Sequence, residues 1–148
     1  MGRVTTIISG MVLATAFAAP AGAETWARFS STDRTAYLVD LDSLMPTDGA
    51  ATIRLARVPA AGDTGDLSHE AEVVMVRCAD RQAQSGATVT YGPTGEEVDR
   101  YTEETPWETP SANSLYGLLL GFSCDDTRPA QVTPYPTIQA FIAGGRKG

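Results

Sequence analysis

Along most of the chain, apolar and polar residues alternate with a period of two, the spacing that turns one face of a β-strand toward a core. The pattern predicts a short aromatic strand over Trp26–Ser30 and a second over Thr35–Leu41. In the second, Tyr37, Val39 and Leu41 share one face, and Leu38 and Asp40 share the other. Pro46-Thr47-Asp48-Gly49 reads as a turn, because proline presets φ and glycine accepts a positive one. A strand over Thr52–Val58 follows, then a loop from Pro59 to Ser68 rich in Pro, Gly and Asp. Glu70–Cys78 sets Val74, Val76 and Cys78 against Val73, Met75 and Arg77. That strand is apolar on both faces in its middle and belongs in the interior of the sheet. Ala87, Val89 and Tyr91 mark the next strand, Gly92-Pro93-Thr94-Gly95 turns it, and Val98–Thr102 returns to complete a hairpin.

One segment changes period. After Pro110, the residues Leu115, Leu118, Leu119 and Phe122 fall at i, i+3, i+4 and i+7, the apolar stripe of a helix. Ser111 or Ser114 can cap its start by accepting a bond from an orphan backbone N–H. Gly121 points to an end near Phe122, with Cys124 just beyond it. The tail, 125–148, carries Pro129, Pro134 and Pro136 before the apolar stretch Ile138–Ala143, and reads either as a late strand or as a loosely docked extension.

The first 23 residues follow different rules. Arg3 is the sole charge, Ile7–Ala18 is almost continuously apolar, Pro20 interrupts, and Ala21-Gly22-Ala23 forms a small-x-small cleavage signature. This is the layout of a signal peptide over residues 1–23, and the run is shorter than the about 20 residues of a membrane span. The mature chain is then expected to start at Glu24 and to carry no cysteine near that end for lipidation, hence no membrane anchor after cleavage. Loss of Arg3 takes the net charge from −7 to −8. So acidic a chain disfavours nucleic acid and anionic membrane surfaces as partners. An exported, periplasmic or secreted chain also changes the reading of its two cysteines, Cys78 and Cys124. In an oxidising compartment they are expected to pair, closing a loop of 47 residues. Such a bond contributes about 4 kcal/mol by chain entropy.

The order of landmarks resembles a known family. Trp26 is followed by Tyr37-Leu38-Val39-Asp40 with Ser43-Leu44, then by a strand ending in Cys78, Tyr91 with Gly95, Trp107, Pro110, Ser114 and a short helix into Cys124. This is similar to the surface-adhesin protein E family of exported bacterial proteins, over residues 24–124, with 125–148 as an extension. The resemblance implies an α+β fold: an antiparallel sheet of about six strands with a C-terminal helix tied to it by the disulfide. It also implies self-association into homodimers and, from the founding type, binding of host matrix and serum proteins such as laminin, vitronectin and plasminogen. Plasminogen capture generally uses accessible lysine, and the single lysine here, Lys147, lies outside the similar region.

Candidate chemistry adds little that is catalytic. His69-Glu70-Ala71-Glu72 lacks the second histidine, four residues on, of a zinc-protease helix, and reads as a solvated strand start. Gly121-Phe122-Ser123-Cys124-Asp125 lacks the final glycine of a nucleophile elbow, and Asp125-Asp126 are adjacent carboxylates that point apart. No catalytic residue, metal ligand or cofactor is assigned, and the chain is expected not to be an enzyme. The one distinctive charge feature is the acidic hairpin, with Glu96, Glu97, Asp99, Tyr101, Glu103 and Glu104 as a candidate binding surface. Its competing reading is a charged edge that keeps the sheet soluble. Trp26 and Trp107 are expected in the core. Two functions follow as expectations: a non-catalytic binding module for an envelope or host-matrix protein, or an acidic periplasmic inhibitor of a cationic envelope enzyme.

Overall fold

The computed structural model describes residues 24–130 and 132–148; the expected signal peptide lies outside the described residues. Seven antiparallel strands form one sheet: β1 (Trp26–Ser31), β2 (Thr35–Asp40), β3 (Ala50–Pro59), β4 (His69–Arg77), β5 (Gln82–Tyr91), β6 (Glu97–Tyr101) and β7 (Pro134–Tyr135). Their order across the sheet is β6-β5-β4-β3-β2-β1-β7. The chain therefore meanders from β1 to β6 and returns to the β1 edge only with β7. The α+β class holds, and β4 lies in the interior as its two apolar faces require. The count is seven strands where six are expected, because the tail supplies the last.

Local chemistry sets the turns. Thr47 and Ala50 exchange both backbone bonds (2.8 and 3.1 Å) around Asp48 and Gly49, whose φ angles are +53° and +76°. A two-residue turn with both φ positive matches the right-handed twist of the flanking strands, and Asp-Gly is the sequence that tolerates it. Beyond β2, Leu41–Leu44 form a 3-10 turn, η1, whose entry is capped by the Asp40 carboxylate accepting from the Asp42 N–H at 3.2 Å.

Helix α1 (Leu115–Cys124) lies on one face. Ser114 is its cap, accepting from the Gly117 N–H at 3.1 Å. Gly117 is required there, since a Cβ would sit 2.0 Å from the Ser111 carbonyl oxygen. Of the stripe, Leu119 and Phe122 join Val39, Leu44, Ile53, Leu55, Val74 and Val76 in one core cluster, Leu115 and Leu118 pack against it half-buried, and Leu120, which the spacing does not select, is buried with them. The helix runs two residues past the expected end at Phe122, so Cys124 lies in its last turn. Cys78 and Cys124 are bonded, with Cα atoms 5.4 Å apart. Cys78 falls just past β4, so the bond holds the helix to the end of that strand. Ser123 adds a buried bond to the Leu44 carbonyl at 2.7 Å, tying α1 to η1.

The opposite face has its own core. Trp26, Ala36, Leu38, Ala56 and Val58 pack with Ile138, Phe141 and Ile142 of a second helix, α2 (Ile138–Ala143). The tail is thus built into the fold. β7 pairs with β1 through Trp26↔Tyr135 and Ala27↔Pro134, and Thr137 caps α2 by accepting from the Ala140 N–H at 3.0 Å. The buried Arg146 guanidinium donates to the carbonyls of Gly62, Asp63 and Asp66 at 2.9, 3.0 and 3.1 Å, fastening the β3–β4 loop to the tail. Six residues are too few for an isolated helix, so α2 exists through this packing.

Both faces should therefore matter to stability alike. Phe141→Ala is expected to cost about 3–5 kcal/mol and Leu119→Ala about 2–5 kcal/mol, measured by urea unfolding. A Phe141 change costing no more than about 0.5 kcal/mol, the size of a surface substitution, would contradict the packing of the second face.

Candidate functional site

The expected binding surface is the sheet's outermost strand. All five residues of β6 are exposed, and β6 pairs only with β5, through Thr88↔Tyr101, Val89↔Arg100, Thr90↔Asp99 and Tyr91↔Glu97. The jump from Asp99 to Glu97 makes Val98 a bulge, which increases the local twist of the edge. The turn before it is closed by Gly92 N–H to the Glu96 carbonyl at 2.8 Å, and is held to the β3–β4 loop by Leu67 N–H to the Pro93 carbonyl at 2.9 Å. The Glu96 carboxylate accepts from the Thr94 hydroxyl and N–H, which holds it below the usual carboxylate range. Glu97 is held below that range too, chiefly by its hydrogen bonds from Arg100, whose Nε and Nη2 both donate at 2.7 Å. Tyr101 donates to Glu103 at 2.7 Å, and that bond raises the phenol pKa. The structure thus gathers all six sequence-selected residues on one edge. Among the described residues, Glu96, Asp99, Glu103 and Glu104 have no ion-pair partner.

Past β6 the chain keeps following β5. Thr105 donates to the Ser85 carbonyl at 2.9 Å, and Glu108 exchanges bonds with Ala83 at 2.9 and 3.0 Å. This leaves Trp107 half-buried and outside both core clusters: its ring lies 3.9 Å beneath the Arg77 guanidinium, a cation–π contact. Trp26, by contrast, is buried as expected.

At the strand start Glu70 is exposed as expected, but His69 and Glu72 are buried. Glu72 pairs with Leu55 across the ladder and so faces α1, where it is 3% exposed. There its Oε1 accepts from the Ser85 hydroxyl (2.5 Å) and from Tyr116 of α1, while Oε2 faces the Arg57 guanidinium. Burial raises the Tyr116 pKa, and the bond to Glu72 adds to the rise. Burial works against the Arg57 charge, but the Glu72 carboxylate outweighs it and the guanidinium is more basic than usual. The cluster couples helix to sheet: its donors are spent on one carboxylate, which suits anchoring. Among the described residues, no three His, Cys, Asp or Glu side chains are grouped to hold a metal.

His69 and its neighbours define the second notable place. Ala56, Ala71, Val89 and Arg100 are cross-strand partners in one row over β3–β6, on the face of α2. Because α2 covers β1–β3, Ala71 beyond Ala56 is left partly exposed, and with Val89 it lines a groove of about 320 Å³ walled by Trp26, Ile138 and Tyr91. One end is closed by a network of Arg54, which donates to Asp40 and, at 2.5 Å, to Glu24; Glu24 also accepts from Trp26 Nε1 at 2.9 Å. His69 lines the groove, stacks on Tyr91 with centroids 4.5 Å apart, and is 5% exposed. Its Nδ1 contacts the Leu67 carbonyl at 2.7 Å; a carbonyl only accepts, so Nδ1 carries the proton. Nothing in the local sequence marks this groove, since it is made by where α2 stops.

Compared with protein-family models, curated proteins and solved structures, the chain matches none.

Burial lowers the His69 pKa below its ordinary value of 6.5, partly opposed by the bond to Leu67. The unfolded chain therefore takes up this proton more readily than the folded one. The stability at stake is fully present above pH 6.5 and declines as pH falls through the folded-state value. His69 is the one histidine of the chain, and carboxylates titrate mostly below about pH 5. Thermal melts between those two limits should fall with pH in the parent and be nearly flat in His69→Gln. Parallel slopes in both proteins would contradict the assignment.

Proposed function

We propose that this protein is an exported, non-catalytic binding module that recognises a basic protein through the β6 edge. The observation that carries this reading is the composition of that edge. Val98 and Tyr101, 57% and 56% exposed, are two of the three large apolar side chains most exposed among the described residues, and both stand among the acids. Solubility alone accounts for the charges and the bulge; it gives no reason to expose an aromatic and an aliphatic side chain beside them. Apolar anchors inside a charged rim are the arrangement by which protein surfaces combine binding energy with steering. A second copy of the chain would bring carboxylates against carboxylates at this edge, which favours a cationic partner over self-pairing there.

The adhesin-like reading rests on the similarity of residues 24–124 to the surface-adhesin protein E family. The disulfide indicates an oxidising environment, which supports periplasmic or secreted placement. No described helix is long and apolar enough to cross a membrane. A second reading, inhibition of a cationic envelope enzyme, draws on the same acidic edge. Capture from envelope and matrix preparations separates the two: one basic enzyme supports inhibition, whereas matrix or surface proteins support adhesion.

The edge itself is tested with an immobilised basic protein such as lysozyme, by surface plasmon resonance over a salt series. The parent should associate more slowly as salt rises, because exposed charges are screened beyond about 8 Å at physiological ionic strength. Replacing Glu96, Glu97, Glu103 and Glu104 by Gln should slow association at low salt and flatten the salt dependence. Equal association rates for the two proteins, flat with salt, would leave β6 as a soluble edge only.

A further inference from the structure

The groove beside α2 has a composition that the β6 reading does not use. Its floor is apolar and shallowly filled: Ala71 and Ala87 leave depth between the larger Val73 and Val89. Ala71, Val73 and Ala87 remain partly exposed, although Ala71 lies directly opposite the buried Ala56 beneath α2. At about 320 Å³ the groove falls at the small end of the range of small-molecule sites, about 300–1,000 Å³.

The guanidiniums at its rim are already bonded within the protein. Arg54 is bonded to Asp40 and Glu24, and Arg100 to Glu97, so neither guanidinium is free to draw in an anion. The Trp26 N–H is likewise taken by Glu24, which leaves that side chain only its ring to offer. His69 differs. With Nδ1–H committed to the Leu67 carbonyl, the neutral ring keeps a lone pair on Nε2, and no hydrogen bond from the described residues meets it. The side chain lines the groove and is 5% exposed, yet its Nε2 is not sealed from solvent, so a ligand that displaces water from that nitrogen must bring a donor.

We propose that this groove binds a small, neutral, mostly apolar molecule carrying one hydrogen-bond donor, an alcohol, phenol or aromatic amine, with the apolar body over Ala71 and Val73 and the donor on His69 Nε2. The rim guanidiniums, already bonded, give an anion no hold, the apolar floor favours an uncharged body, the alanines set the depth, and the histidine sets the orientation.

N-phenyl-1-naphthylamine is a suitable probe: it is neutral, brightens in apolar surroundings and has a single N–H. Its N-methyl analogue has the same rings and no donor. Titrated into the disulfide-intact protein at pH 7.5, the first probe should give a saturable, one-site rise in emission. The analogue should bind severalfold more weakly. Ala71→Phe fills the floor and should reduce binding at least tenfold; Val73→Phe, at a half-exposed position, does the same if the first variant fails to fold, as judged by near-ultraviolet circular dichroism. In His69→Phe the two probes should bind equally. Absence of a saturable signal in the parent, or unchanged binding in a folded floor-filling variant, would overturn the site. Equal binding of both probes by the parent would overturn the role of His69.

Discussion

Consecutive residues in β2 and β3 are buried: Leu38 and Val39 in one, Leu55 and Ala56 in the other. Side chains alternate along a strand, so two buried neighbours demand cover on both faces of the sheet. This demand organises the molecule. Helix α1 answers it on one side, held by Ser123 and the Cys78–Cys124 bond. On the other side the last fifteen residues answer it, through β7, α2 and the Arg146 contacts with the β3–β4 loop. Burying a side chain the size of Phe141 or Ile142 contributes about 1.5–3 kcal/mol, which offsets the ordering of a helix too short to form alone.

The same constraint locates the two surfaces of functional interest, because both lie where cover runs out. Helix α2 is short and reaches only β1–β3, so a groove lined by Ala71, Val73 and Ala87 remains beside it. No strand follows β6 on its outer side among the described residues, so its acids, Val98 and Tyr101 face outward. Arg100 belongs to both places: it sits opposite Val89 at the groove rim and is bonded to Glu97 of the acidic edge. A partner on β6 that broke the Glu97 pair would release a guanidinium beside the groove.

What was legible in the residues was whatever is local. Alternation located the strands, the Asp48-Gly49 pair its hairpin, the i, i+3, i+4, i+7 apolar stripe and Ser114 the helix α1, and two cysteines in a chain read as exported their bond. The acidic hairpin was legible as an exposed edge for the same reason. What escaped depends on distant partners. Glu72 reads as a solvated acid because its partners Ser85 and Tyr116 lie 13 and 44 residues away. Trp107 reads as core because nothing nearby shows that Arg77 will lie over its ring. The three buried residues of α2 span only five positions, too few to separate a helix from a strand by period. Arg146 gives no signal at all, since its acceptors are backbone carbonyls some eighty residues earlier.

The central claim is that the tail from Pro134 to Gly148 and the strands β1–β3 form one cooperative unit. Amide hydrogen exchange followed by mass spectrometry on the disulfide-intact protein tests it most directly. The amides of α2 that donate within the helix and to its Thr137 cap should exchange with the same opening free energy as those of β2 and β3, because exposing the second face requires losing both. Exchange of the α2 amides at near-unfolded rates, while β2 and β3 stay protected, would contradict it.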